Sequence, residues 1–297
     1  MKRFLPIVMS LFLNTFVKAE SNHYYLKVLK NGVELGYYSN KWQRAKKIRR
    51  YAFHELNANE IRQTIFGEER GRVLYYFHCY LGNAPVYHHH SVKYLNQFSG
   101  IDKRVSIVWR SRRMGYQRSN AQAIREGKKL RELLSELFQT EANENVVLCH
   151  SMGNRVFEGV AAGLPADTRF KLILLAASDV DVHIFKDSWA QLPLQSQKIV
   201  VYQHRKDRLL KTSKIVLKEE RLGLHALQHM SAFRQMPNVE VVDITDAAGQ
   251  KLIDTSNHTY WKYHSGLQRD IQLLLLGIED DSQRLLTENV EGVKLMQ

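Results

Sequence analysis

The stretch from Asn145 to Arg155, N-V-V-L-C-H-S-M-G-N-R, decides the fold. It begins with a short apolar run, Val146 to Leu148, passes through a turn centred on Ser151, and enters a helix-compatible segment, Asn154 to Ala162. A strand, a sharp turn with a central serine and a helix form the layout of a nucleophile elbow, which lifts the serine hydroxyl above the edge of a sheet. The helix N-terminus behind the serine favours developing negative charge. The sequence therefore predicts a nucleophilic serine at Ser151.

Apolar runs alternate with helical patterns on both sides of this turn. The sequence predicts six strands, at Val73 to Phe77, Val105 to Trp109, Val146 to Leu148, Leu172 to Ala177, Ile199 to Tyr202 and Val239 to Ile244. Ala121 to Phe138 has the apolar spacing of an amphipathic helix, and Leu267 to Leu276 that of an apolar closing helix. This alternation is typical of βαβ units, so we predict an α/β fold with a mostly parallel central sheet and helices on both faces.

The regions that flank this core have different patterns. Tyr24 to Ser39 contains two alternating runs around Asn31-Gly32, which predicts a hairpin. Trp42 to Leu56 and Asn59 to Ile65 are basic and have helical patterns. We therefore divide the chain into a signal peptide (1–19), an N-terminal hairpin with basic helices packed on the main domain (20–71), an α/β domain (72–279) and a polar, loosely held tail (280–297).

The first residues have the pattern of a secretory signal peptide. Lys2 and Arg3 form a basic start, Phe4 to Val17 is mostly apolar, and Ala19 is a small residue at the expected cleavage point. This pattern predicts export, with a periplasmic or secreted mature chain. An uncleaved N-terminal anchor is the alternative interpretation.

The chain is basic, with a formal net charge of +13 over 297 residues. Basic residues concentrate in Lys41 to Arg50 and Arg110 to Arg118, which indicates either weak attraction to anionic surfaces or solvated faces. No nucleic-acid-binding motif accompanies them in the sequence, so we expect no nucleic-acid partner. The run His88 to His90 is not expected to bind a metal, because adjacent side chains do not point to one side.

A nucleophilic serine needs a base, and the base needs an orienting acid. In a parallel sheet such groups gather beyond the carboxyl ends of the strands. Asp207 follows the strand predicted at Ile199 to Tyr202, and His258 follows the last predicted strand across a polar loop. The chain order Ser151, Asp207, His258 is the order of α/β-hydrolase triads. Asp179 and Asp181 are alternatives for the acid.

Six short motifs in the same order resemble those of a bacterial family of largely uncharacterised, esterase- and lipase-like α/β-hydrolases. That family typically shows H-G-Y-N, W-P-S, G-H-S-M-G-N, A-P-D-x-D, an acid loop and G-H-S-Y-Y. The corresponding segments here are His78-Cys79-Tyr80, Trp109-Arg110-Ser111, Cys149 to Asn154, Ala177 to Asp181, His204 to Leu210 and Asn257 to Trp261. The resemblance covers residues 72 to 277.

This resemblance implies a serine hydrolase that cleaves an ester or related acyl bond through an acyl-enzyme. Ser151 would be the nucleophile, His258 the general base and Asp207 its orienting acid. The backbone N–H groups of Tyr80 and Met152 would form the oxyanion hole. The expected substrate is a small-molecule or lipid-like acyl compound, and no cofactor is implied. The alternative is a catalytically silent binding protein of the cell envelope.

Both cysteines of the chain replace glycines of the family motifs, Cys79 in H-G-Y and Cys149 in the elbow. In this fold the strands before these two turns are neighbours. The resemblance therefore predicts a disulfide between Cys79 and Cys149 beneath the oxyanion hole, with two small buried thiols as the alternative.

The sequence allows two interpretations for each of two further segments. Tyr260, Trp261 and Tyr263, beside the candidate histidine, line an acyl pocket or pack in the core. The segment from Lys211 to Met236 forms either a cap over the site or the plain helical crossover between two strands, within which Leu222 to His229 has a helical pattern.

Overall fold

A computed structural model describes residues 23–43, 48–57, 60, 71–80, 93–111, 115–139, 143–247, 255–288 and 292–297. These residues form an 11-stranded sheet in the order β10-β11-β9-β8-β7-β6-β4-β5-β1-β2-β3. Its strands are β1 (His23–Leu29), β2 (Gly32–Gln43), β3 (Ile48–Glu55), β4 (Gly71–Phe77), β5 (Lys103–Val108), β6 (Asn143–His150), β7 (Leu172–Ala176), β8 (Ile199–Gln203), β9 (Val239–Asp243), β10 (Leu286–Glu288) and β11 (Lys294–Met296).

Helices connect and cover these strands. They are α1 (Tyr116–Phe138), α2 (Gly153–Ala161), α3 (Val182–Ser188), α4 (Leu192–Gln195), α5 (Arg208–Leu217), α6 (Leu222–His225), α7 (Met230–Phe233), α8 (Tyr260–Tyr263), α9 (Ser265–Leu275) and α10 (Asp281–Arg284), with a 3₁₀ turn at Ala226–His229. No helix in these parts of the chain has the length and apolar character needed to cross a membrane.

The sheet is buried on both faces. Val147 and Cys149 of β6 belong to a core cluster that includes Leu130 of α1 and Phe157 of α2. The alternate residues Val146 and Leu148 belong to a second cluster, which includes Leu267 and Ile271 of α9. Near-continuous apolar strands are needed where helices cover both faces of a parallel sheet.

The strands predicted in the core are confirmed, and they pair in parallel. The consecutive pairs β5–β4, β4–β6, β6–β7, β7–β8 and β8–β9 are all parallel. In the β4–β6 pair Phe77 lies opposite Cys149. The turns that follow these two strands therefore leave the same edge of the sheet side by side.

The N-terminal hairpin is confirmed, whereas the helix predicted over Trp42 to Leu56 is wrong. β1 and β2 pair antiparallel around the turn before Gly32, and β1 pairs parallel with β5, so the hairpin extends the central sheet. Ile48–Glu55 is a strand that pairs antiparallel with β2, with Gly36 opposite Glu55. A side chain at Gly36 would place its Cβ 2.1 Å from the carbonyl oxygen of His54, so only glycine permits this close pairing.

The C-terminal segment is folded, which corrects the expectation of a loosely held tail. β11 pairs parallel with β9, and β10 pairs antiparallel with β11. Arg284 is fully buried, with Nε 2.6 Å from Asp270 Oδ1 and a second guanidinium nitrogen 2.5 Å from Glu240 Oε1. A charged side chain is accommodated in the core because both carboxylates pair with it.

Several sequence predictions concern residues outside the described ranges. These are the signal peptide (1–19), the histidine run (88–90) and nearly all of the second basic helix (59–65).

Candidate active site

The turn at Ser151 has the backbone of a nucleophile elbow. Ser151 connects the end of β6 to the start of α2 and has φ of 56°, in the left-handed region that non-glycine residues rarely adopt. Its N–H donates to the carbonyl of Ala176, the last residue of β7, at 3.0 Å. Its own carbonyl accepts from the backbone and side-chain amides of Asn154. The strained serine is thus fixed between two strands and the first turn of a helix.

Gly153 brings the elbow against the neighbouring strand. A Cβ at this position would lie 2.1 Å from the carbonyl oxygen and 2.6 Å from the carbonyl carbon of Phe77. Helix α2 therefore begins in direct backbone contact with the end of β4. This contact places Met152, the residue after the serine, beside the loop that starts His78-Cys79-Tyr80.

Asp207 and His258 form the remaining pair of the predicted triad. Asp207 Oδ2 lies 2.7 Å from His258 Nδ1, and Asp207 is fully buried. The acid caps α5, since its Oδ1 accepts from the N–H of Leu210 at 2.9 Å. Arg208 N–H donates to the carbonyl of Ser256 at 2.9 Å, which ties the acid loop to the histidine loop. Two oxygens with separate donors hold this carboxylate in one orientation.

His150 joins the elbow to the histidine loop. Its Nε2 lies 3.0 Å from the carbonyl oxygen of His258, so the nitrogen donates there. The rings of His150 and His258 are 5.1 Å apart between centroids, and Trp261 contacts His150 edge-on at 6.0 Å. Ser151 follows His150 directly in the chain. The structure therefore brings the candidate serine and histidine loops together at one edge of the sheet.

Asp179 and Asp181, the alternative acids, have other partners. Asp179 accepts from the hydroxyls of Tyr116 and Ser213, each at 2.5 Å. Asp181 caps α3 by accepting from the N–H of His183 at 2.8 Å. Burial, followed by the charge of Asp179, raises the pKa of Tyr116, so its hydroxyl remains a donor. The residue that contacts His258 Nδ1 is Asp207.

The loop after β4, which carries Tyr80, is held by buried contacts. Trp109 Nε1 donates to the carbonyl of His78 at 3.0 Å, and the two rings stack with centroids 5.6 Å apart. Burial lowers the pKa of His78 to about 4, so the ring is neutral near pH 7 and Nδ1–H donates to the carbonyl of Cys79. The ring of Tyr80 packs edge-on against Tyr116 at 6.1 Å. These contacts give the loop a defined shape beside the elbow.

Comparison with known protein families fits this geometry. The model of the family described as "Alpha/beta hydrolase of unknown function (DUF900)" matches residues 57–274, more than half of the chain. The chain belongs to this alpha/beta-hydrolase family. No curated protein matches the chain. The resemblance and the fold class predicted from the motifs are confirmed, while the family description assigns no substrate.

The disulfide predicted for this α/β-hydrolase family member is not formed. Cys79 and Cys149 are buried, and neither is in a disulfide. Since Phe77 lies opposite Cys149, Cys79 is two positions past the paired residue. Cys79 lies beyond the end of β4 at Phe77, whereas Cys149 lies within β6, so the two cysteines are not cross-strand partners.

The cysteines are compatible with the elbow of the family. Neither Cys79 nor Cys149 has positive φ, so the left-handed freedom of glycine is not needed at either position. Cys149 lies within β6, and burial raises the pKa of its thiol well above the usual value. A buried neutral thiol of this size acts as a small apolar side chain.

The segment from Lys211 to Met236 is the crossover between β8 and β9 and forms no separate cap. Its backbone joins the loop after β7, where Leu222 N–H donates to Val180 and Gly223 N–H to Ser178, each at 2.9 Å. The helical pattern at Leu222 to His229 is confirmed as α6 and the 3₁₀ turn. This family member therefore carries the segment as part of its main fold.

Tyr260 and Trp261 pack in the core. Trp261 is fully buried and Tyr260 nearly so, and the Tyr260 hydroxyl donates to the carbonyl of Tyr202 at 2.8 Å. Tyr263 is half-buried and lies against Tyr94. Of the three aromatic residues considered for a pocket, two are therefore structural.

Sequence reasoning missed the contact of Gly153 with Phe77 and the polar cluster around Asp179. The glycine after Met152 was a visible signal for the first. The cluster around Asp179 brings together Tyr116 and Ser213 from helices that are far apart in the sequence, and no local sequence pattern marks such a cluster. Within the described ranges no group of three or more His, Cys, Asp or Glu residues is arranged to hold a metal.

Proposed function

We propose that this chain is a serine hydrolase that cleaves an ester or a related acyl bond. The observation that carries the proposal is the 2.7 Å contact between Asp207 and His258 Nδ1, in a fold that presents Ser151 on a strained elbow beside the same loop. A buried carboxylate on Nδ1 leaves Nε2 as the proton acceptor of the imidazole. A serine with this support is an activated nucleophile.

The reaction follows from the roles of these groups. The Ser151 hydroxyl oxygen attacks the acyl carbon while His258 Nε2 takes its proton, and the tetrahedral oxyanion accepts from the backbone N–H groups of Tyr80 and Met152. His258 then returns the proton to the leaving alcohol, and the acyl group stays on Ser151. Water, deprotonated by His258, attacks the acyl carbon. The bond from that carbon to the Ser151 oxygen then breaks, the protonated His258 returns its proton to this oxygen, and the carboxylic acid leaves. Asp207 stabilises the imidazolium in both steps.

The proposed substrate is a small-molecule or lipid-like acyl compound, and the reaction needs no cofactor. Tyr80 and Tyr263 are half-buried aromatic residues, and Tyr263 lies five residues after His258 in the chain. We further propose that the chain is exported, as the basic and apolar N-terminal pattern predicts. Mass determination of the chain recovered from the cell envelope or medium tests this, since cleavage after Ala19 would remove residues 1–19.

A fluorophosphonate probe tests the catalytic proposal directly. We expect the probe to label the purified chain at Ser151, as mapped by peptide mass spectrometry, and Ser151→Ala to remove the label. Ser188→Ala is the matched control, because Ser188 is an exposed serine on α3. Hydrolysis of a chromogenic ester should fall by a factor on the order of 10³ or more in Ser151→Ala alone.

Absence of label in a folded wild-type chain would overturn the proposal. In that case the alternative function, a catalytically silent binding protein of the cell envelope, would be favoured. Label at another serine would equally contradict the assignment of Ser151.

A further inference from the structure

Helix α5 starts at the candidate site and turns one side to solvent. The helix begins one residue after Asp207, which caps it, so it is fixed to the acid of the site. Leu210 and Ser213 are its buried residues, and both lie on the side that faces the fold. The opposite side of α5 is therefore a surface that adjoins the catalytic edge of the sheet.

Aliphatic side chains occupy part of this outward surface. Ile215 is 75% exposed, Leu209 51% and Val216 45%. At about 100° per residue, Ile215 lies near the middle of the outward side, and Leu209 and Val216 lie together on one flank. Leu209 and Val216 adjoin each other, and Ile215 lies about 100° further round the helix, with Thr212 between them. We call these three exposed residues the aliphatic strip.

Cations occupy the other flank. Lys211 and Lys218 lie there, whereas Arg208 lies near the middle of the outward side, beside Ile215. All three are exposed, and α5 itself contains no acidic residue. Among the residues that the structure describes, these three form no ion pair. Lys214 contacts His225 Nε2 at 2.9 Å, so it is directed toward the protein.

The two acids that follow α5 in the chain do not neutralise this flank. Glu219 pairs with Arg155 and Arg221, and Glu220 pairs with His229. The flank therefore carries an excess of positive charge beside the aliphatic strip, on a chain whose net charge is already +13.

We propose that the outward side of α5 docks on an anionic phospholipid surface. Its aliphatic strip enters the boundary between headgroups and acyl chains, while its cationic flank meets the phosphates. A second copy of the chain fits less well, because a two-fold contact would bring the same cations face to face. A nucleic acid would satisfy the cations but would leave the aliphatic strip without an apolar partner. The docking surface is independent of catalysis by Ser151.

Vesicle co-sedimentation of the full chain tests this surface. We expect binding to phosphatidylcholine vesicles that contain phosphatidylglycerol, little binding to phosphatidylcholine alone, and weaker binding as salt rises. The double variants Ile215→Ser/Val216→Ser and Lys211→Ser/Lys218→Ser should each weaken partitioning by a factor on the order of ten.

Control variants remove similar groups elsewhere. Leu194 is 66% exposed and borders a groove of about 370 Å³ with Asn143 and Asn238, at the sheet edge opposite Ser151. Leu194→Ser and the exposed pair Arg125→Ser/Lys128→Ser on α1 should change partitioning by less than about twofold if the surface is specific. Each variant is checked for fold by circular dichroism.

Two results would overturn the proposal. One is equal partitioning of the wild type and both α5 variants. The other is a concentration-dependent dimer, measured by light scattering, that the α5 variants abolish while the wild type ignores vesicles. Fluorophosphonate labelling of the same samples reports on Ser151 separately, so loss of docking and loss of the proposed activity are distinguishable.

Discussion

Asp207 divides its two carboxylate oxygens between His258 and helix α5. Oδ2 lies 2.7 Å from His258 Nδ1, and Oδ1 accepts from the N–H of Leu210 at 2.9 Å. One side chain thus sets the orientation of the imidazole and the start of a helix. A capping contact restricts the carboxylate rotamer, so the histidine contacts an acid that is already in place.

Substitution of Asp207 separates these two roles. Asn also caps helices, so Asp207→Asn should keep the Leu210 contact and change the free energy of unfolding by less than about 1 kcal/mol. The amide cannot stabilise an imidazolium and favours the wrong tautomer, so kcat for a chromogenic ester should fall by a factor on the order of 10² to 10⁴. Asp207→Ala should lose the activity and about 1 kcal/mol of stability as well. Wild-type kcat in Asp207→Asn would remove Asp207 from the triad.

Gly153→Ala should disrupt the elbow. The new Cβ would lie 2.1 Å from the carbonyl oxygen of Phe77, which belongs to the backbone of a central strand and cannot move aside. We expect a loss of about 3 kcal/mol or more in urea unfolding, or failure to fold. Gly71→Ala is the control. Gly71 lies on β4, the strand that contains Phe77, and a Cβ at Gly71 would have its nearest neighbour, the side chain of Asp102, at 3.4 Å. A Gly153→Ala chain as stable as Gly71→Ala would refute the close contact.

Stability should fall in mild acid because of His78. Burial lowers its pKa from 6.5 to about 4 in the folded state. Between these two values the unfolded chain binds the additional proton, so stability is fully present above pH 6.5 and is lost as pH falls toward 4. The expected loss is at most about 3 kcal/mol.

Urea unfolding of wild type and His78→Asn at pH 7 and pH 4.5 measures this effect. Burial also lowers the pKa of His225 and of His264, so these two residues make stability fall in acid in both chains. The His78 contribution is the difference between the two pH dependences, which cancels any constant destabilisation by the substitution. Equal pH dependence in both chains would show that His78 titrates normally.

Both thiols should be titratable in the denatured, unreduced chain. Cys79 and Cys149 are buried and form no disulfide, so a thiol reagent should detect two thiols after denaturation and react slowly with the native chain. Fluorophosphonate labelling should be the same with and without reductant. A denatured chain without titratable thiols would establish the bond that the resemblance predicts.

The sequence predicted the α/β core and the triad candidates because their signals are local. Buried parallel strands are continuous apolar runs, and the carboxyl end of each strand is found by reading to the next polar residue. Asp207 and His258 were located in this way. The strand at Ile48–Glu55 was missed because its apolar residues are also spaced like those of a helix, and only pairing with β2 decides the outcome.

The cysteine pairing and the C-terminal segment show a second limit. The sequence correctly placed β4 beside β6. The two-residue offset between Cys79 and Cys149, however, depends on the register of this pair, which cannot be read from the sequence. Residues 280–297 contain few apolar side chains, so their composition indicated a tail. The segment is instead held in the fold through the buried Arg284, which pairs with Asp270 and Glu240 from two other elements, and the composition of the segment does not show these partners.

The left-handed backbone of Ser151 has a consequence for protein engineering. An L-residue at φ of 56° carries about 1 to 2 kcal/mol of strain that glycine does not share. Ser151→Gly should therefore raise the melting temperature while it deletes the proposed nucleophile. A library screened for heat tolerance alone would enrich glycine at this position, and the best survivors would be inert. Any thermostabilisation of this chain needs an activity readout at every round.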